Sequence, residues 1–218
     1  MTSTSRILVL GLTAAGRASL PDAMVQRVLQ ADVLVGGQRQ LDCFADAGGE
    51  RLLVNLGLEH VVRRLRAALT QQQRAVVLAS GDPLCYGIGS SLRRFFAPAE
   101  LEVVPAASAF QLAFAALAEP WHDALLLSAH NRPLETVVQR VRQAAVAAIL
   151  TDQRHTPAAI AQALLEDGTA ADTRCAICEN LGYPEERILL TTLHDACHQL
   201  YEPLNVMVVW CIPIQNQA

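Results

Sequence analysis

The chain has 218 residues, 52% hydrophobic and 17% charged, with a net charge of −4, so it carries ample material for an aliphatic core. That balance excludes a disordered chain and argues against a general nucleic-acid binder, which needs a basic face. All 17 basic residues are arginine, which excludes a Schiff base, a phosphate-loop lysine and a lysine general base, and leaves fork-shaped cations suited to carboxylates.

Arg6–Leu12 is an apolar run ending in glycine and reads as a buried strand rather than a signal peptide. Ser19-Leu20-Pro21-Asp22 reads as a helix start, with Ser19 as the cap. Ala31–Val35 is a second strand, and Leu58, Val61, Val62, Leu65, Ala68 and Leu69 fall at helical spacing. Arg74–Ala79 is a third strand, stopped by Ser80-Gly81-Asp82-Pro83; a helix over Gly89–Phe96, a strand over Leu101–Val104 and a helix over Ser108–Ala118 follow. After Glu119-Pro120-Trp121 the alternation resumes: strand Ala124–Ser128, helix Pro133–Ala145, strand Val146–Thr151, then a helix capped by Thr156, begun by Pro157 and closed by Gly168. Arg174–Glu179, Arg187–Thr192 and Asn205–Ile212 are the last strands. Strands alternating with helices mean α/β units, and the close spacing of the later strands predicts antiparallel pairing. The expected architecture is two α/β lobes, residues 1–119 with a mainly parallel sheet and residues 120–218 with a mixed one, with no internal repeat. No apolar run is long enough to cross a membrane, and the six cysteines read as reduced core thiols, so the cytoplasm is the expected compartment.

Two glycine turns stand out. In Gly11-Leu12-Thr13-Ala14-Ala15-Gly16 a dinucleotide fingerprint would need glycine at position 13, and Val35-Gly36-Gly37 stands where the ribose-binding acid would be, so a dinucleotide site is not expected. The second turn, Gly81-Asp82-Pro83-Leu84-Cys85-Tyr86-Gly87, follows a buried strand at the place where open α/β sheets bind ligands. Asp82 reads either as a ligand-site carboxylate or as a cap on its own turn; the glycines, proline and tyrosine around it favour the ligand site.

Gly-Asp-Pro-x-x-Tyr-Gly after a buried strand resembles the signature of the tetrapyrrole methyltransferases. Ala31–Leu41, Pro105–Gln111, Ser128–Arg132, Leu150–Asp152 and Glu179–Gly182 resemble, in order, segments of the cobalt-precorrin-7 C-5 methyltransferases and of the precorrin-6Y C-5,15 enzymes, over nearly the whole chain. The chain departs from the pattern at Leu12-Thr13-Ala14-Ala15, where the family is richer in Gly or Pro, and at Asn131, where it has Gly.

The resemblance implies methyl transfer from S-adenosylmethionine, with S-adenosylhomocysteine as product, to C-5 of a corrin precursor in cobalamin biosynthesis. Its alternatives are another position of the same macrocycle and a non-catalytic tetrapyrrole- or nucleotide-binding module. It implies a cofactor site in the cleft between the lobes, made by Leu12, Gly81, Asp82, Leu84, Tyr86, Gly87, Ser108, Ala109 and Leu181. A sulfonium cofactor needs no lysine. The substrate carries carboxylates around a flat ring, for which Arg39 and Arg132 are the candidates. Asp82 and His130 are the candidate catalytic residues, either able to take a ring proton. The family tendency implies a homodimer. A separate C-15 methyltransferase and decarboxylase is a further expected partner, because residues up to 218 leave no room for that module.

Cys175-x2-Cys178, fifteen residues, then His194-x3-His198 matches the spacing of a zinc site. The cysteines fall in a strand-like run of a large aliphatic domain, so no metal is expected.

Overall fold

The computed structural model describes residues 6–211; the expectations for Met1–Ser5 and for Ile212 lie outside the described residues. Contacts divide the chain into two compact units, the first ending at Ser108 and the second beginning at Ala109.

In the first unit, β1 (Ile7–Leu12), β2 (Val33–Gly36), β3 (Glu50–Leu53), β4 (Ala75–Ser80) and β5 (Leu101–Val104) form a sheet of order β3-β2-β4-β1-β5. Every neighbouring pair is parallel. Helices α1 (Asp22–Leu29), α2 (Gln38–Asp42), α3 (Leu58–Thr70) and α4 (Ile88–Leu92) lie between the strands in sequence. Alternate residues of β1 enter two different cores. Ile7 and Val9 pack with Val61 and Leu65 of α3 and Leu92 of α4. Leu8 and Leu10 pack with Val25 and Val28 of α1, Leu41 of α2, and Phe44. Burial on both faces is why β1, β2 and β4 as far as Ala79 read as unbroken apolar runs.

In the second unit, α5 (Ala109–Leu117), β6 (Leu125–Ser128), α6 (Leu134–Arg142), β7 (Val146–Leu150), α7 (Pro157–Glu166), β8 (Arg174–Glu179), β9 (Arg187–Thr192), α8 (Leu193–Ala196) and β10 (Asn205–Trp210) follow. The sheet order is β6-β7-β10-β8-β9. Only β6 and β7 pair in parallel; β10 runs antiparallel to β7 and β8, and β9 antiparallel to β8. Leu127, Ile149, Ile177 and Met207 of the sheet pack against Val137 and Val141 of α6, Ile160 and Leu164 of α7, and Leu193 of α8.

Several local expectations are corrected. Ser19 does not cap α1: it ends a 3-10 turn over Gly16–Ser19, and its hydroxyl donates back to the Gly16 carbonyl at 2.7 Å. Pro21 stands at the cap instead, with no side-chain bond. The helix expected over Gly89–Phe96 is only Ile88–Leu92, since Arg93–Phe96 leave the helix as a turn. α5 packs against β10, so it groups with the second unit and the division falls before it rather than after residue 119. Thr156 does cap α7, accepting the N–H of Ala159 at 3.2 Å.

Candidate active site

In the first unit the carboxyl ends of β1, β4 and β5 come together. Leu12 is paired with Ser80 in register, and the Gly81 N–H donates to the Leu12 carbonyl at 2.8 Å. A Cβ on Gly11 would lie 2.1 Å from the Gly81 oxygen and 2.6 Å from the Ala106 nitrogen. Gly81 has φ +63, and a Cβ there would sit 3.1 Å from the Ala107 oxygen and 3.3 Å from Ser108 Cα. Glycine at 11 and 81 therefore lets three chain segments meet backbone to backbone. This brings Leu12, Gly81 and Ser108 into one small region.

The turn after β4 is braced from inside. Asp82 Oδ1 accepts the N–H of Leu84 at 2.8 Å, and the Asp82 carbonyl accepts the N–H of Cys85 at 3.2 Å. Ser90 Oγ donates to the Leu84 carbonyl at 2.6 Å. A Cβ on Gly87 would stand 2.7 Å from the Pro83 oxygen, so glycine is needed for the fold-back. Tyr86 adopts φ +55, an unfavourable conformation for a bulky residue that the surrounding bonds must sustain. Leu84 and Tyr86 keep 48% and 42% of their surface exposed, so the braced loop presents apolar side chains beside the strand ends. Cys85 turns inward. Burial pushes its thiol up, the Asp82 charge adds to this, and a hydrogen bond from Ser108 opposes both. Ser108 itself is buried. The Cys85–Ser108 link thus ties the β4 turn to the segment leading from β5. Cys85 and Ser90 escape a reading of the sequence because nothing in their spacing shows which way a turn folds. Arg39 is exposed on α2.

In the second unit a matching edge forms. The registers Ser128↔Leu150, Leu150↔Val206 and Cys178↔Val206 put the ends of β6, β7 and β8 in one row. Ser128–Arg132, Leu150–Asp152 and Glu179–Gly182 therefore leave the sheet along one edge. His130 is exposed, its Nδ1 2.9 Å from Ser128 Oγ. Asn131 adopts φ +54, and the Arg132 N–H donates to the Ala129 carbonyl at 3.2 Å, closing a tight turn. Asn tolerates this left-handed conformation, which explains how it stands at a position where the resembling pattern has Gly. Asp152 accepts the N–H groups of His155 at 2.6 Å and Arg154 at 2.8 Å; these bonds, the one from His155 foremost, hold its carboxyl below the ordinary range. Leu181 is buried, and Ala109 is the first residue of α5.

Glu179 stands out in the sequence only as part of a segment, yet it is 1% exposed with both oxygens engaged. Arg187 Nε donates to one at 2.5 Å and the Glu202 N–H to the other at 2.8 Å. The available signal was an acid ending an apolar strand, eight residues before an arginine that begins the next one.

Cys175 and Cys178 are three apart on β8, so their side chains project from opposite faces of the sheet. They cannot converge on one ion, and among the described residues no group of three His, Cys, Asp or Glu could hold a metal. No helix of the described residues is long and apolar enough to cross a membrane.

The family described as tetrapyrrole (corrin/porphyrin) methylases matches residues 7–197. The chain belongs to that family. It is 33% identical over 204 residues to a precorrin-6Y C(5,15)-methyltransferase (decarboxylating) of a Sinorhizobium species, covering 93% of this chain but 49% of the relative. The chain thus spans about half the length of that relative. It is also 33% identical over 182 residues to the cobalt-precorrin-7 C(5)-methyltransferase of Salmonella typhimurium, covering 84% of this chain and 88% of that one. Two solved structures share the fold of this tetrapyrrole methylase. The methyltransferase CobJ has a TM-score of 0.75 at 23% identity, covering 94% of this chain and 93% of its own. The precorrin-6Y methylase CbiE of Archaeoglobus fulgidus has a TM-score of 0.71 at 22% identity, covering 95% and 98%.

Proposed function

We propose that this tetrapyrrole methylase transfers a methyl group from S-adenosylmethionine to C-5 of a precorrin or cobalt-precorrin in cobalamin biosynthesis, releasing S-adenosylhomocysteine. One observation carries the position on the ring. The chain matches about half of a relative named for both C-5 and C-15 and nearly all of one named for C-5 alone. The activity the two names share is methylation at C-5. The proposed working form is a cytoplasmic homodimer.

The residues of the first unit fit the cofactor. When bound, it supplies an electrophilic methyl group on a sulfonium, and its binding requires backbone donors, acceptors and apolar cover rather than a cation or a phosphate loop. Leu12, Gly81 and Gly87 bring backbone to the turns after β1 and β4, Tyr86 and Leu84 offer apolar surface, and Ser108 offers a hydroxyl. Asp82 holds the loop in shape through Leu84. Ala109 and Leu181 are proposed as further cofactor contacts. Arg39 and Arg132 would receive carboxylates of the macrocycle, where a guanidinium can make paired bonds. Alignment of the accepting carbon supplies most of the acceleration such a displacement needs.

Incubation with methyl-labelled S-adenosylmethionine and a precorrin-7-type substrate should place one label on C-5, read by carbon NMR of the product. Label at a different carbon would move the assignment elsewhere on the ring, and no transfer by folded, cofactor-binding protein would overturn it.

A further inference from the structure

The carboxyl end of β6 constrains which protons His130 can give and take. Ser128 is 3% exposed, and its Oγ has two partners: it accepts the His130 N–H at 3.3 Å and lies 2.9 Å from His130 Nδ1. A hydroxyl has one proton to donate, and a buried one without an acceptor costs free energy. Among the described residues, His130 Nδ1 is the acceptor that this hydroxyl has. With Nδ1 accepting, the neutral imidazole carries its own proton on Nε2. The lone pair that a general base would use is thus the one committed to Ser128.

The surroundings show what Nε2–H lacks. Nothing among the described residues accepts it. Asp152 and Glu179, two acids of the same edge, are occupied by their own loops: Asp152 takes the N–H groups of Arg154 and His155, and Glu179 takes Arg187 and the Glu202 N–H. The turn through Asn131 sets the exposed His130 ring and the Arg132 side chain two residues apart at that edge. We propose that His130 is a substrate-binding donor and not the catalytic base, its Nε2–H received by a carboxylate on the rim of the tetrapyrrole substrate. The choice of ligand rests on the function proposed above; the position of the proton does not.

Two measurements on the full chain separate these parts. In protein carrying 15N-labelled histidine, long-range 15N–1H correlation should show His130 as the Nε2–H tautomer, its signals identified by their loss in His130→Gln. In Ser128→Ala that tautomer should give way to a mixture. A bare Nε2 with the proton on Nδ1 in the parent protein would overturn the donor assignment, whatever the enzyme acts on. In the methyl-transfer assay His130→Gln retains an N–H donor at the reach of Nε2. It should keep kcat and hold KM for the tetrapyrrole within about threefold, whereas His130→Ala should raise that KM about tenfold with kcat and the cofactor KM little changed. Equal loss of kcat in both variants would restore His130 as the base. Parent protein that shows the Nε2–H tautomer yet methylates no tetrapyrrole would sink the carboxylate ligand together with the proposed function, and leave the donor assignment standing.

Discussion

Asp82 Oδ1 accepts the Leu84 N–H at 2.8 Å, so the carboxylate at the end of β4 shapes the loop that follows it. Asp82→Asn keeps an acceptor oxygen and should keep the turn. Asp82→Ala removes it and should cost about 1 kcal/mol, the size of a lost helix cap, and weaken S-adenosylmethionine binding about tenfold or more. Denaturant unfolding and calorimetry on the two variants check this. Equal loss of cofactor affinity in both would mean that the charge itself is used.

Gly11 faces backbone on two sides: a Cβ there would meet the Gly81 oxygen at 2.1 Å and the Ala106 nitrogen at 2.6 Å. Neither can yield without parting β1 from its neighbours. Gly11→Ala should therefore destabilise by about 3 kcal/mol or more, while Gly48→Ala, with nothing within 4 Å, should leave the midpoint of unfolding near that of the parent. A tolerated Gly11→Ala would refute the close approach of the three segments.

Cys175 and Cys178 should be inert. Burial pushes both thiols up to about 12, so neither forms the reactive thiolate at neutral pH. In folded protein both should resist a thiol reagent that labels them after unfolding, as mass spectrometry of labelled peptides would show. Purified protein should hold no stoichiometric zinc, and a chelator should leave the melting temperature unchanged.

Acid should weaken the first unit through Glu102. Arg27 donates to both its oxygens, at 2.6 and 2.8 Å, and these bonds hold the Glu102 carboxyl below its ordinary range. A depressed folded-state pKa contributes stability that is present above the unfolded value and lost as pH falls through the folded one. Wild-type stability should therefore drop from about pH 5 to about pH 3. Glu102→Gln should be less stable at neutral pH and show a shallower drop. An unchanged slope would remove this pair from the acid response.

The fold was legible where one local rule decides. β1, and β4 as far as Ala79, are apolar at every position because helices cover both faces of a parallel sheet, and the close spacing of β8 and β9 allows only a hairpin. Thr156 followed by Pro157 marks a helix start whose capping bond is local. Ser19 misleads because a Ser before Pro-Asp has the same local chemistry whether it caps forward or, as here, bonds back to Gly16. β3 escapes notice: Glu50–Leu53 is half polar, and only pairing with β2 makes it a strand.

By itself the sequence determined the two α/β sheets, the glycine turn after β4 and the family, because hydrophobic period, turn chemistry and segment order are properties of the chain in one dimension. Only the tertiary structure decided that Asp82 braces its own loop, that Cys85 turns to Ser108, that Glu179 is buried between Arg187 and Glu202, and that His130 is held by Ser128. Each of these depends on which way a side chain faces once strands are in register, and a hydrogen bond changes partner with a rotation that no residue spacing records.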